Sequence, residues 1–298
     1  MIPHQRIFSA LGALLFSTAT VLAQRAAALA PDQVRRLWAT AGAAPAPATA
    51  PRAFDPDLND GLVRPPAAEP PARDPAPAAW RAGALLHRDD FADLSNWLVE
   101  QKPGGTVTVR DGALVIDDAG GCTVWFRPEL AAPVVITYEA TVLDRGGAHD
   151  RVSDLNCFWM ATDPGATDGS VLATTAKRTG AFADYDALRL YYVGYGGNTN
   201  TTTRFRRYLG NGEKPLLPEF DRTGAAVLLK GNVTSKLMLV AAGGRAQFFR
   251  DGEKLFDFAD PSPLTRGRFG FRTVQSRIEF RNFRVWRAEQ TQFSMPQR

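Results

Sequence analysis

Cysteine and histidine are scarce in this 298-residue chain, which has only Cys122, Cys157, His4, His87 and His149. So few soft ligands exclude a Cys/His zinc site and a disulfide-dense scaffold. Beyond the extreme N-terminus no apolar run approaches the ~20 residues of a membrane-spanning helix, which excludes a polytopic membrane protein. Charge of one sign is nowhere concentrated. The 35 Lys and Arg are interleaved with 31 Asp and Glu for a net +4, so there is no basic tail for nucleic acid. A Gly-x-Ser-x-Gly nucleophile elbow is missing. The glycines at Gly194, Gly196 and Gly197 are followed by neither Lys-Ser/Thr nor a helical pattern, which excludes a phosphate loop.

What is present begins with Arg6, an apolar uncharged stretch over residues 8–22, and small residues at Val21 and Ala23 where a signal peptidase accepts them. Residues 1–23 therefore predict a signal peptide and a periplasmic or secreted protein with no membrane contact once the leader is removed. No cysteine follows the apolar stretch and no twin-arginine pair precedes it, so neither a lipoprotein nor twin-arginine export is expected. In an oxidising compartment Cys122 and Cys157 either pair or remain two small buried hydrophobes. Residues 24–79 are Ala/Pro-rich, with prolines from Pro45 to Pro77, and predict an extended linker. At most, residues 32–40 add two helical turns.

From residue 80 the texture changes to short alternating runs. Thr106-Val107-Thr108-Val109-Arg110, Asp111-Gly112 and Ala113-Leu114-Val115-Ile116 read as strand, turn and strand, and residues 249–256 repeat this around Asp251-Gly252. Further strands are predicted at 123–127, 134–143, 156–162, 187–193, 203–208, 236–241, 246–250, 268–273 and 278–287. Many short strands with almost no helical periodicity predict an all-β fold, a two-sheet antiparallel β-sandwich. It forms one domain over residues 80–288, followed by a tail at 289–298. A monomer is expected.

Some of these runs have a familiar form. Asp90-Phe91, Trp97 and Asp111-Gly112-Ala113-Leu114, with the closing runs at residues 267–273 and 278–285, resemble the concanavalin A-like lectin/glucanase (jelly-roll) superfamily. Between them, Asn156-Cys157-Phe158-Trp159-Met160-Ala161, Tyr191-Tyr192-Val193-Gly194-Tyr195-Gly196-Gly197-Asn198 and Thr203-Arg204-Phe205-Arg206-Arg207-Tyr208 are similar to an uncharacterised YesU-like family. The resemblance covers residues 85–287. It implies a jelly roll and an association with pectin and other acidic polysaccharides, and it implies no catalytic assignment.

In a jelly roll one sheet is concave and saccharides lie on its solvent face, so strands there should alternate core residues with polar or aromatic ones. Along residues 187–195, Leu188, Leu190 and Tyr192 are read as one side, and Arg189, Tyr191, Val193 and Tyr195 as the groove side. Arg204, Arg206 and Tyr208 share a face opposite Phe205 and Arg207. Asn156, Phe158 and Met160 alternate with Leu155, Cys157 and Trp159, a pattern that leaves their sides open. If these strands are neighbours, Arg189, Tyr191, Asn156, Phe158, Asn198, Arg204 and Tyr208 converge on one substrate groove. Such a mixture suits an acidic sugar, because arginine forks bind carboxylates and aromatic rings stack on pyranose faces.

Three chemistries compete at such a groove. β-Elimination from a uronate needs a cation for the carboxylate and groups that move the C5 proton, for which Arg206, Tyr195 and His149 are the candidates. His149 lies in a polar loop beside Asp150, where a solvated role is the alternative. A glycoside hydrolase would draw on Glu219 and Asp221, although the third acid of a Glu-x-Asp-x-x-Glu strand is replaced by Gly224. A non-catalytic carbohydrate-binding module needs neither. No cofactor is expected, and a structural calcium would use Asp89, Asp90 or Asp93. The sequence therefore points to an exported protein that binds a uronate-containing polysaccharide and cleaves it by β-elimination.

Overall fold

The computed structural model describes residues 80–291, which form sixteen strands in two eight-stranded antiparallel sheets. The first sheet runs β14 (Glu253–Ala259), β13 (Arg245–Arg250), β12 (Thr234–Ala242), β7 (Val134–Val142), β16 (Arg277–Gln290), β4 (Ala113–Asp117) and β3 (Thr106–Arg110), with β1 (Trp80–Asp89) also on β16. The second runs β11 (Asp221–Thr223), β10 (Thr202–Leu209), β9 (Arg189–Gly196), β8 (Asn156–Thr162), β15 (Arg266–Thr273), β5 (Cys122–Phe126) and β2 (Trp97–Gln101), with β6 (Leu130–Ala131) beside β15. The expected two-sheet β-sandwich is the observed fold. The signal peptide, the linker and most of the tail lie outside the described residues.

Local chemistry accounts for the hairpins. Asp111 and Gly112 have φ of 52° and 68°, and Asp251 and Gly252 have 51° and 82°. Both pairs adopt the left-handed backbone of a two-residue type I′ turn, which Asp tolerates and Gly favours. Four strands lack a counterpart in the sequence reading: β1, β2, β6 and β11. β11 follows Pro218 and exists as a strand because Thr202, Thr203 and Arg204 of β10 supply its pairing partners. β16 extends two residues past the predicted domain end, its Gln290 pairing with Trp80.

Between the sheets, Trp97 stacks on Phe271 at 5.1 Å and Phe271 on Phe280 at 4.0 Å, within an apolar core that includes Phe126, Tyr138, Phe269 and Phe283. A second apolar cluster lies on the other face of the second sheet. There Trp125, Phe158, Leu190, Tyr192 and Tyr208 are covered by Val171, Tyr185 and Leu188 from the β8–β9 connection. The second sheet is thus buried on both faces, where the sequence predicts one face open to solvent, because the β8–β9 connection packs its own apolar side chains on the outer side.

Cys122 and Cys157 are free and buried. They lie on β5 and β8 with β15 between them, opposite Thr273 and Phe271, so two strand spacings of roughly 9.5 Å plus a two-residue offset put them beyond disulfide reach. Burial pushes the Cys157 thiol up to about 12 and raises Cys122 further. Neither thiol is expected to react with a thiol reagent at pH 8 until the protein unfolds, and reductant should leave Tm unchanged. Rapid labelling of the native protein would contradict this.

The proposed calcium acids do not converge. Asp89 accepts from the Phe91 N–H, Asn96 Nδ2 and Trp97 Nε1, Asp90 pairs with Arg88 and Arg284, and Asp93 caps the Ser95 N–H. Among the described residues no group of three or more His, Cys, Asp or Glu could hold a metal.

Candidate functional site

The strand registers of the second sheet bring residues from seven strands into two rows on its outer face. One row runs Leu98, Trp125, Gly270, Phe158, Tyr192 and Arg206, each opposite the next. Gly270 lets the Trp125 indole lean across the sheet, since a Cβ there would lie 2.7 Å from the ring. The indole consequently stacks on Phe158, with centroids 5.6 Å apart.

The second row is polar. Glu100 lies opposite Thr123, Thr123 opposite Arg272 and Arg272 opposite Asn156. Continuing the register sets Asn156 beside Gly194, which pairs with Arg204, which in turn pairs with Asp221. Gly194 has a specific role here. A Cβ at that position would sit 2.5 Å from the Tyr192 hydroxyl, so the phenol reaches across from the aromatic row into the polar one.

These polar groups are buried and held at defined positions. Arg204 Nε donates to Asp221 at 2.7 Å and Arg206 Nη1 to the Lys214 carbonyl at 2.6 Å. Arg272 donates through Nη1 to the Gly180 carbonyl at 2.6 Å, and its Nε and Nη2 have no partner among the described residues. Asn156 Nδ2 donates to Asp154, while its Oδ1 is likewise buried without a partner. Burial pushes the Asp154 carboxyl up, against the pull of Ser153, Arg151 and Asn156.

The residues between β8 and β9 lie over this face and are tied to it by Glu100. That carboxylate accepts from Trp125 Nε1, Thr175 Oγ1, Arg178 Nε and Tyr185 Oη, each at 2.9 Å. Phe182 then packs on Phe158 and Tyr192, and its ring lies 5.1 Å from the Arg272 guanidinium carbon.

Arg204, Arg206, Tyr208, Asn156 and Phe158 are all on this face, where the sequence reading assembled them. Tyr191 and Tyr195 are not, because the two sides of β9 are reversed: Leu190, Tyr192 and Gly194 face outward, and Tyr191, Val193 and Tyr195 enter the core between the sheets. Tyr195 packs against Phe248 and its hydroxyl accepts from Arg250 Nη1 at 3.3 Å. Tyr191 donates to Asp260 at 2.7 Å, beside the buried Arg207–Asp260 ion pair, and burial raises its phenol well above the usual range. Arg189 shares the side of Tyr191 at the end of β9, with Nε 3.5 Å from the Leu209 carbonyl.

Two further candidates lie elsewhere. Asn198 occupies the β9–β10 turn with φ of 52°, a left-handed position that suits Asn, and is away from the face. His149 pairs through Nδ1 with Asp117 at 2.6 Å, at the end of β4 in the first sheet. The sequence reading missed Arg272 and Tyr192. Arg272 was legible, since Phe269 and Phe271 mark the core side of β15 and put Arg272 on the other.

A family model described as "Domain of unknown function (DUF6250)" matches residues 116–283. No curated protein matches the chain. Among solved structures, a protein of unknown function with a galectin-like fold from Bacillus subtilis is 18% identical, with a TM-score of 0.55, covering 72% of this chain and 100% of its own. An endo-beta-1,3-glucanase from Pyrococcus furiosus is 11% identical, with a TM-score of 0.46 over 72% and 97% of the two chains. The carbohydrate-binding module CBM66 from Bacillus subtilis is 15% identical, with a TM-score of 0.45 over 64% and 95%.

Proposed function

The chain belongs to the DUF6250 family, a domain of unknown function, and from the chemistry of its second sheet we propose that it binds a uronate-containing saccharide and cleaves it by β-elimination. The observation that carries this is the juxtaposition of Arg204, Arg206 and Arg272 with an aromatic row and the Tyr192 hydroxyl on one face. Guanidinium forks suit carboxylates, the rings suit pyranose faces, and Asn156 Oδ1 is an acceptor for a sugar hydroxyl.

Elimination assigns each group a part. An arginine neutralises the uronate carboxylate and so stabilises the enolate-like intermediate. The Tyr192 oxygen, as phenolate, takes the C5 proton; the released electron pair forms the C4–C5 double bond as the C4–O bond breaks. The same phenol then returns its proton to the departing oxygen. Tyr192 thus takes the part expected of Tyr195. The hydrolytic alternative is weakened because the Asp221 carboxylate is committed to Arg204. Export to a periplasmic or extracellular space, where such polymers are met, is part of the same proposal.

Calorimetry with trigalacturonate and its methyl ester tests binding. Arg206→Ala is expected to weaken the acid by about 10-fold or more, since a charge-assisted pair contributes ~1.5–3 kcal/mol, and to leave the ester little changed. Equal losses for both would make Arg206 structural. Incubation with uronate polymers should produce the ultraviolet absorbance of an unsaturated product. New reducing ends without that absorbance would indicate hydrolysis, and binding without any product a non-catalytic module.

A further inference from the structure

Two connections meet over the outer face, and an ion pair joins them. Lys214, between β10 and β11, has Nζ 2.6 Å from Asp186 Oδ1, just before β9. Its ammonium lies 5.8 Å from the ring centroids of both Phe182 and Tyr208. The Lys214 carbonyl takes the hydrogen bond from Arg206 Nη1, so the connection is fastened to the sheet. The result is a carboxylate held by an aromatic-walled lysine, with a second cation close by, directly beside the proposed saccharide face.

We propose that Lys214 and Arg206 form a receptor for a ligand carboxylate, which Asp186 fills in the unliganded protein as an internal stand-in and vacates when an acidic saccharide binds. The identity of the ligand rests on the function proposed above. The physical reason is charge conservation. Exchanging one carboxylate for another leaves no buried cation unpaired, whereas a neutral sugar that displaced Asp186 would strand Lys214, whose side chain is only 10% exposed. The device therefore rejects neutral ligands as well as accepting acidic ones.

Asp186 is suited to leave. Burial pushes its carboxyl up; Lys214 and Arg206 pull it down, and Asp184 adds to the rise. The other half of the covering segment is suited to stay, because Arg178 and Glu100 are 3% and 1% exposed and share several hydrogen bonds. Gly180 and Tyr185 are held as well, by Arg272 and by the same Glu100 carboxylate, so opening is confined to residues 186–188 and 210–217.

Asp186→Asn and Lys214→Met in the full chain test this. Hydrogen exchange without ligand should be about 10-fold faster in Asp186→Asn over 186–188 and 210–217, and unchanged over 171–185. Trigalacturonate should bind about 10-fold more tightly to Asp186→Asn and about 10-fold more weakly to Lys214→Met, while its methyl ester, no longer opposed by the stranding of Lys214, should gain affinity in both. Unchanged exchange in Asp186→Asn overturns the internal latch. Unchanged trigalacturonate affinity in both variants, with a wild type that binds it, overturns the receptor. Faster exchange with no binding by any of the three proteins overturns the receptor together with the proposed function, and so separates that failure from failure of the latch.

Discussion

Replacing Glu100 by alanine is expected to destabilise the domain by about 3–5 kcal/mol, the usual cost of removing one partner from a buried ion pair. The side chain is 1% exposed and its partner Arg178 3%. Without the carboxylate, Arg178 is a buried charge left with only the more distant Asp163 at 3.7 Å, and Trp125, Thr175 and Tyr185 lose their acceptor. Glu100→Gln keeps the shape and part of the hydrogen bonding, so it should be milder. Urea unfolding of the full chain measures both. A loss below ~1 kcal/mol for the alanine variant would mean that the covering segment is held by its apolar contacts alone.

On a uronate polymer that the wild type cleaves, Tyr192→Phe should lower turnover by ~100-fold or more with little change in Tm, because it removes the proton-transferring hydroxyl and little packing. Tyr195→Phe should leave turnover near that of wild type, since its hydroxyl meets Arg250 inside the sandwich. Gly194→Ala is the positional test. Its methyl group would sit 2.5 Å from the Tyr192 oxygen, so it should reduce turnover by a similar factor without altering any group that carries a proton. Full activity in Tyr192→Phe would assign the phenol to stacking and return the proton transfer to another residue.

Local chemistry in the chain determined a good deal. Asp111-Gly112 and Asp251-Gly252 define hairpins because their backbones need φ above zero, a demand met within two residues. Phe205 between Arg204 and Arg206 divides β10 into core and outer sides, because a charged and an apolar side chain differ in what burial costs them. Together with the run of short strands, such features determined the two-sheet sandwich and placed Arg204, Arg206 and Tyr208 on one face.

The site itself was decided by tertiary structure. On β9 each side carries tyrosine with an aliphatic residue, Leu190 on one and Val193 on the other, and both sides are buried, so alternation shows that there are two faces and is silent on which one meets the other sheet. Pairing with β8 and β10 made that choice and turned Tyr192 outward in place of Tyr195. The rows depend on residues far apart in the chain, such as Glu100 with Arg178 and Arg272 with Asn156, whose meeting follows from strand order rather than from any local pattern. Closure of the face by Asp186 and Lys214 is of the same kind: each is an ordinary surface charge in the sequence, and only the folded connections bring them within 2.6 Å of each other.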